Sequence, residues 1–119
     1  MEDMYTRTAL LLGEDGMERI KRARVLLFGL GGVGSYTAEA LARVGIGEMT
    51  LVDGDTISVT NINRQIPAKH STIGMEKTQV LAERILDINP LCRVEAVTKF
   101  VAPENIGDFV FEKYDYVID

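Results

Sequence analysis

Apolar residues in this chain recur at two spacings, and the alternation between them predicts the fold. Arg24-Val25-Leu26-Leu27-Phe28 is an unbroken apolar run of strand length, the pattern of a strand covered on both faces. Beyond a glycine-rich turn, Val33, Tyr36, Thr37, Ala40, Leu41 and Val44 recur at helical intervals, and Gly45 supplies a C-terminal stop. Met49 to Val52 predicts a second strand. Leu81, Ile85 and Ile88 carry helical spacing over residues 78–89, ended by Pro90. A third strand is predicted over Arg93 to Val97. Pro103 stands where a helix accepts its first turn, and Ile106, Phe109 and Val110 follow at helical intervals, so a further helix is expected there. Residues 114–119 read as a fourth strand. Ahead of the first strand, residues 8–20 predict a short helix with a break between Gly13 and Gly16, where Gly-Glu-Asp-Gly follows three leucines.

From residue 24 onward the order is strand, helix, strand, helix, strand, helix, strand. That alternation predicts an α/β fold: a Rossmann-like parallel sheet with helices on both faces. The 119 residues suffice for a single nucleotide-binding domain, 1–119. In such a sheet the ligand crevice lies beyond the carboxyl ends of the strands. The chain stops at the end of a strand, so further site residues are expected in a following loop, making 1–119 the N-terminal portion of a larger domain.

Composition narrows the class. Shares of 46% hydrophobic and 26% charged residues are those of an ordinary soluble globular protein. The apolar runs are short and broken by glycine or charge, so no membrane span is expected. Met1-Glu2-Asp3-Met4 is acidic and lacks the apolar core of a secretory signal, and a cytoplasmic location is the expectation. The single cysteine, Cys92, excludes an internal disulfide and a cysteine-based zinc site within these residues, and reads as a packing or surface thiol. His70, the one histidine, reads as a loop residue. A net charge of −5 argues against broad nucleic-acid binding, which needs a basic surface, but not against a small focused cationic pocket.

Gly29-Leu30-Gly31-Gly32-Val33-Gly34 fits the dinucleotide fingerprint. Glycine lets the chain turn sharply and lets backbone N–H groups approach a phosphate, which the positive end of the next helix also attracts. Its position between a predicted strand and a predicted helix is the context such a motif requires. Asp53 ends the second strand about twenty residues past the glycines, where a ribose-binding acid belongs; Asp55 is assigned to the turn with Gly54. NAD and ATP both offer a ribose, so these residues support an adenine nucleotide and leave open which one.

The segment after Asp53 is richer than a connection needs. Thr60-Asn61-Ile62-Asn63-Arg64-Gln65 brings three amides and a guanidinium, and Lys77 follows. A dehydrogenase usually needs no such cations there. An enzyme that adenylates a carboxylate must bring one anion onto the α-phosphate of another, and fixed cations must offset the repulsion and follow charge onto departing pyrophosphate. Arg64 can grip phosphate oxygens bidentately, Lys77 can act as a point charge, and Asn61 and Asn63 can donate to phosphate or ribose oxygens. Singly, each has an ordinary alternative: a surface ion pair, a solvated first-turn lysine, a loop cap. Their joint placement favours the nucleotide.

The segments 29–35, Leu51-Val52-Asp53-Gly54-Asp55, 60–65 and Gly74-Met75-Glu76-Lys77 together resemble the ThiF/MoeB/HesA superfamily, the bacterial relatives of ubiquitin-activating enzymes. The resemblance runs from about Tyr5 to the end of the chain. Within it, Arg43-Val44-Gly45-Ile46-Gly47, Ala82-Glu83-Arg84-Ile85 and residues 88–94 are similar to the branch of tRNA threonylcarbamoyladenosine dehydratases. The resemblance implies ATP-dependent adenylation of a carboxylate on a modified tRNA, followed by ring closure with loss of AMP. It also implies a homodimer in which Arg7 reaches the neighbouring subunit's ATP, and a Mg²⁺ whose aspartate ligand lies just beyond Asp119. Gly29, Gly31, Gly32 and Gly34 would frame the phosphates, Asp53 would hold the ribose, and Asn61, Arg64 and Lys77 would contact the triphosphate. These 119 residues alone are expected to be inactive. The alternatives are an adenylyltransferase that activates the C-terminus of a ubiquitin-like sulfur carrier and, less favoured, an NAD-dependent oxidoreductase.

Overall fold

The computed structural model describes residues 2–119. Four parallel strands, β1 (Arg24–Phe28), β2 (Glu48–Val52), β3 (Arg93–Val97) and β4 (Tyr116–Ile118), form one sheet in the order β3-β2-β1-β4. The register runs Arg24↔Glu48 to Phe28↔Val52 between β1 and β2, and Glu48↔Arg93 to Val52↔Val97 between β2 and β3. The two central strands therefore end level with one another, which sets the glycine turn after β1 beside Asp53.

Three helices accompany the sheet: α1 (Thr6–Arg22), α2 (Gly32–Val44) and α3 (Lys77–Ile88). Strand side chains alternate between faces. Val25 and Leu27 of β1 with Met49 and Leu51 of β2 meet Ala38 and Ala42 of α2 and Leu81 and Ile85 of α3 in the principal core. The small alanines let α2 lie close to the strands. Gly45 ends α2 in the left-handed conformation (φ 103°), its N–H bonding the carbonyls of Leu41 and Ala42. The predicted first helix is present but longer than 8–20, and its break is at Gly13 (φ 74°). Among the described residues no helix is long and apolar enough to cross a membrane.

The helix expected from Pro103 does not form. The chain makes two single 3-10 turns there, Ile106–Asp108 and Phe111–Lys113, joined by extended backbone at Phe109 and Val110. The reason lies in Phe28, which turns to the face away from α2 and α3. Phe109 meets its ring edge-on at 5.2 Å between centroids, and Phe111 meets it at 6.4 Å. Residues two apart sit on opposite sides of a helix but on one side of a bent extended segment, so both rings reach Phe28 only if the helix is given up. Gly107 adds a further penalty to helix at this point. Tyr114 completes the cover, its hydroxyl 2.8 Å from that of the buried Thr50. This second face thus carries turns where a helix was expected.

Replacing Phe109 with alanine should lower stability by roughly 1–2 kcal/mol, the aromatic pair plus part of the ring's buried area. Phe111→Ala should cost less, because its ring is more distant and 38% exposed. Urea denaturation of the two variants checks the order.

Candidate functional site: the glycine turn and the segment behind it

Gly29 leaves β1 with φ 86°, a left-handed conformation, while its N–H still bonds the Val52 carbonyl at 2.9 Å. Gly34, in the first turn of α2, lies so close to the Gly29 carbonyl that any Cβ there would overlap the oxygen. Gly29 and Gly34 are therefore demanded by the chain itself. Gly31 and Gly32 are not. A Cβ at Gly31 would come no nearer than 3.8 Å to Gln65 Nε2, and one at Gly32 no nearer than 3.7 Å to the Arg64 carbonyl oxygen. Nothing in the fold excludes side chains at these two positions, yet they leave the backbone N–H groups at the start of α2 uncovered. That is what a phosphate cradle requires.

Asp53 fastens this turn to the next segment. Its Oδ2 accepts the Leu30 N–H at 2.7 Å and its Oδ1 accepts the Asp55 N–H at 2.7 Å. Beside it lies a cavity of about 220 Å³ lined by Gly29, Asp53, Gly54, Lys99, Phe100 and Asp119, among others. Gly54 is needed here because the Phe100 ring lies across it: a Cβ would sit 2.5 Å from Phe100 Cγ. Phe100 is otherwise 69% exposed, a free aromatic face at the rim of a cavity that also holds a carboxylate.

The 60–65 segment is drawn against the glycine turn by Ser35, which is fully buried. Ser35 Oγ donates to the Gly31 carbonyl at 2.6 Å and accepts the Ile66 N–H at 3.4 Å. The aliphatic stem of Arg64 consequently runs past Gly32, while its Nη1 donates to the Thr60 carbonyl at 3.0 Å and to Asn63 Oδ1 at 2.9 Å. Asn61 is buried and its Oδ1 accepts the Ser58 N–H at 2.9 Å, capping the turn Val59–Asn61. Gln65 is also buried; its Nε2 faces Gly31, and its Oε1 has no partner among the described residues. Lys77 is the first residue of α3, with its side chain 7% exposed and its Nζ 3.7 Å from Asp55 Oδ2.

Six of the predicted site residues, the four glycines with Asp53 and Arg64, thus gather around the start of α2, while Asn61 caps the turn before Arg64. Lys77 joins them through Asp55 and Asp53. Asn63 is present but engaged with the Arg64 guanidinium. Neither Arg64 nor Lys77 lines the cavity beside Asp53. Arg7 is set apart. Tyr5, two residues before it, packs on Gly45 and directs its hydroxyl to Asn89 Oδ1, at the end of the sheet opposite the glycine turn, and Arg7 itself is exposed on α1.

Sequence reasoning counted Gln65 among the amides of its segment without giving it a role, and missed Ser35, Lys99 and Phe100. Ser35 follows the last glycine directly, so its place could have been suspected; the other two owe theirs to contacts between distant segments. Among the described residues no group of three or more His, Cys, Asp or Glu is arranged to hold a metal ion. Cys92 is buried, and desolvation pushes its thiol up to about 11. That is the state of a packing thiol rather than of a nucleophile.

Residues 5–119 match the ThiF family. The chain belongs to the ThiF family. It is 53% identical over 118 residues to the tRNA threonylcarbamoyladenosine dehydratase of Haemophilus influenzae, covering 99% of this chain and 45% of that protein. The Escherichia coli dehydratase is 50% identical over 94% of this chain and 42% of its own length. The fold superposes on the crystal structure of the E. coli dehydratase in complex with ATP with a TM-score of 0.94, at 48% identity, covering 98% of this chain and 48% of that one. A Mycobacterium tuberculosis protein described as a probable adenylyltransferase/sulfurtransferase is more distant, at 38% identity. The ThiF-family chain described here spans somewhat under half the length of these dehydratases.

Two outcomes are expected at the glycines. Gly34→Ala should destabilise the fold by about 3 kcal/mol through overlap with the Gly29 carbonyl. Gly32→Ala should leave stability unchanged within about 0.5 kcal/mol yet weaken ATP binding about tenfold, read by thermal melting and titration calorimetry. The raised thiol value means that Cys92 contributes stability fully below the ordinary value of 9.0 and loses it as pH rises through about 11. Native Cys92 should resist iodoacetamide at pH 8 and react on unfolding, as measured by mass spectrometry.

Proposed function

We propose that this chain is the nucleotide-binding portion of an enzyme that uses ATP to adenylate a carboxylate on a modified tRNA, the threonylcarbamoyl group of threonylcarbamoyladenosine, which then cyclises with loss of AMP. The observation that carries the reading is the buried Lys77 cation tied through Asp55 and Asp53 to an uncovered glycine cradle. It is supported by the close likeness to dehydratases, one of them in complex with ATP.

Adenylation answers a specific chemical difficulty. A carboxylate oxygen is a poor leaving group and AMP is a good one, so transfer of the adenylyl group makes the carbonyl open to attack. Two anions must first approach each other. The cradle at Gly31 and Gly32 would hold phosphate by backbone N–H groups, and Asp53 would take a ribose hydroxyl on its remaining lone pairs. Lys77 and Arg64, once the guanidinium leaves Thr60 and Asn63, would neutralise charge passing to pyrophosphate. A Mg²⁺ ion would enter with the ATP phosphates and need no more than one or two carboxylates from the protein. Arg7, exposed at the far end of the sheet, would act on the ATP of a second subunit in a homodimer, in a cytoplasmic enzyme.

The test uses the full-length protein with ATP and tRNA bearing threonylcarbamoyladenosine, following AMP release and the mass of the modified nucleoside. Loss of water from the nucleoside is expected, with Arg64→Ala and Lys77→Ala each slowing it on the order of a hundredfold. Pyrophosphate exchange driven by a ubiquitin-like sulfur carrier and not by tRNA, or unchanged turnover in both variants, would contradict the reading. Mixing Arg7→Ala with Lys77→Ala subunits should recover activity in heterodimers if Arg7 works across the interface; heterodimers without recovery would refute that role.

A further inference from the structure

Lys77 occupies an uncomfortable position. It is the first residue of α3, at the end of the helix where exposed N–H groups and the macrodipole present positive charge, and its side chain is 93% withdrawn from water by its 7% exposure. Among the described residues its ammonium makes one ionic contact, to Asp55 Oδ2 at 3.7 Å, a separation too long for a direct hydrogen bond. The two partners are unequal. The Asp55 side chain is 57% exposed against 7% for Lys77, so the carboxylate can rehydrate at once if displaced, whereas the lysine has nowhere to go.

Asp55 is itself fixed by its backbone. Its N–H is held by Asp53 Oδ1 at 2.7 Å, and its carbonyl oxygen accepts the N–H of Lys77 at 3.2 Å. The next residue, Thr56, forms an isolated antiparallel bridge with Glu76. The main chain of Asp55 is therefore pinned between the glycine-turn carboxylate and the start of α3, and only its side chain is free to move.

We infer that Asp55 is a positioning residue of the nucleotide site: its carboxylate is an internal counter-ion that holds the Lys77 ammonium while no triphosphate is present, yields it to phosphate when ATP binds, and recaptures it as pyrophosphate leaves. The inference rests on the reading of Lys77 as a triphosphate contact. A built-in competitor lowers affinity for the triphosphate, and so prevents the buried cation from retaining the product. A charge pair with one partner open to solvent and no direct hydrogen bond is worth enough to shift ATP affinity about twofold to fivefold.

Titration calorimetry of the 119-residue chain with ATP and with adenosine, at fixed ionic strength, tests this. Asp55→Asn should tighten ATP binding about twofold to fivefold while leaving adenosine unchanged. The gain should vanish in a Lys77→Ala background, and Asp55→Glu should return ATP affinity to near the parent value. A purely structural Asp55 would instead weaken both ligands together, and that result overturns the inference. So does a gain that persists without Lys77. Should the parent chain fail to prefer ATP over adenosine, both the inference and the triphosphate site fall. These titrations measure binding only, so a protein that adenylates no tRNA would leave their outcome intact and separate the two failures.

Discussion

The Asp53 carboxylate meets two backbone N–H groups that no strand ladder can serve: that of Leu30, inside the glycine turn, and that of Asp55, in the turn after β2. Unpaired donors in a partly buried place are costly, and an ionised acceptor bonds them more strongly than a neutral one would. Because β1 and β2 end in register, one side chain reaches both. The glycine turn and the start of the following segment are thereby held as one body. From there the constraint passes through the Asp55 carbonyl to the first N–H of α3, and so to Lys77.

Within a chain of net charge −5, Lys77 and Arg64 are both carried by the segments that this framework holds. The two cations differ in kind. Lys77 is buried and fixed at a helix start, a charge that cannot retreat from an arriving anion. Arg64 is exposed, its stem laid along Gly32 and its head hooked to its own loop through Thr60 and Asn63. The first suits a permanent field and the second a group that moves onto phosphate when it arrives. On the proposed reading, N–H donors for phosphate would come from the backbone of Gly31 and Gly32, where a Cβ would meet no close neighbour.

Much of this was legible in the sequence because the information is local. The run 24–28, the helical spacing of α2 and α3, the stops at Gly45 and Pro90, and Asp53 at a strand end all depend on near neighbours. The parallel sheet followed from them. The failure at residues 103–113 has the opposite cause: Phe28, some eighty residues earlier, rewards Phe109 and Phe111 for lying on one side, and that contact outweighs helical periodicity. Asp55 likewise looked like a turn residue, which it is. Its link to a buried lysine more than twenty residues on is a tertiary fact. Phe100 and Lys99 reach the cavity only because the chain doubles back across Gly54.

The central claim is that the segment behind β2 exists to manage triphosphate charge. Its most direct measurement compares the affinities of ATP and adenosine for the parent chain and for the Arg64→Ala/Lys77→Ala double variant. A strong preference for ATP that collapses in the double variant, with adenosine affinity preserved, is the predicted result. Equal affinities in the parent, or an ATP preference that survives loss of both cations, would contradict it.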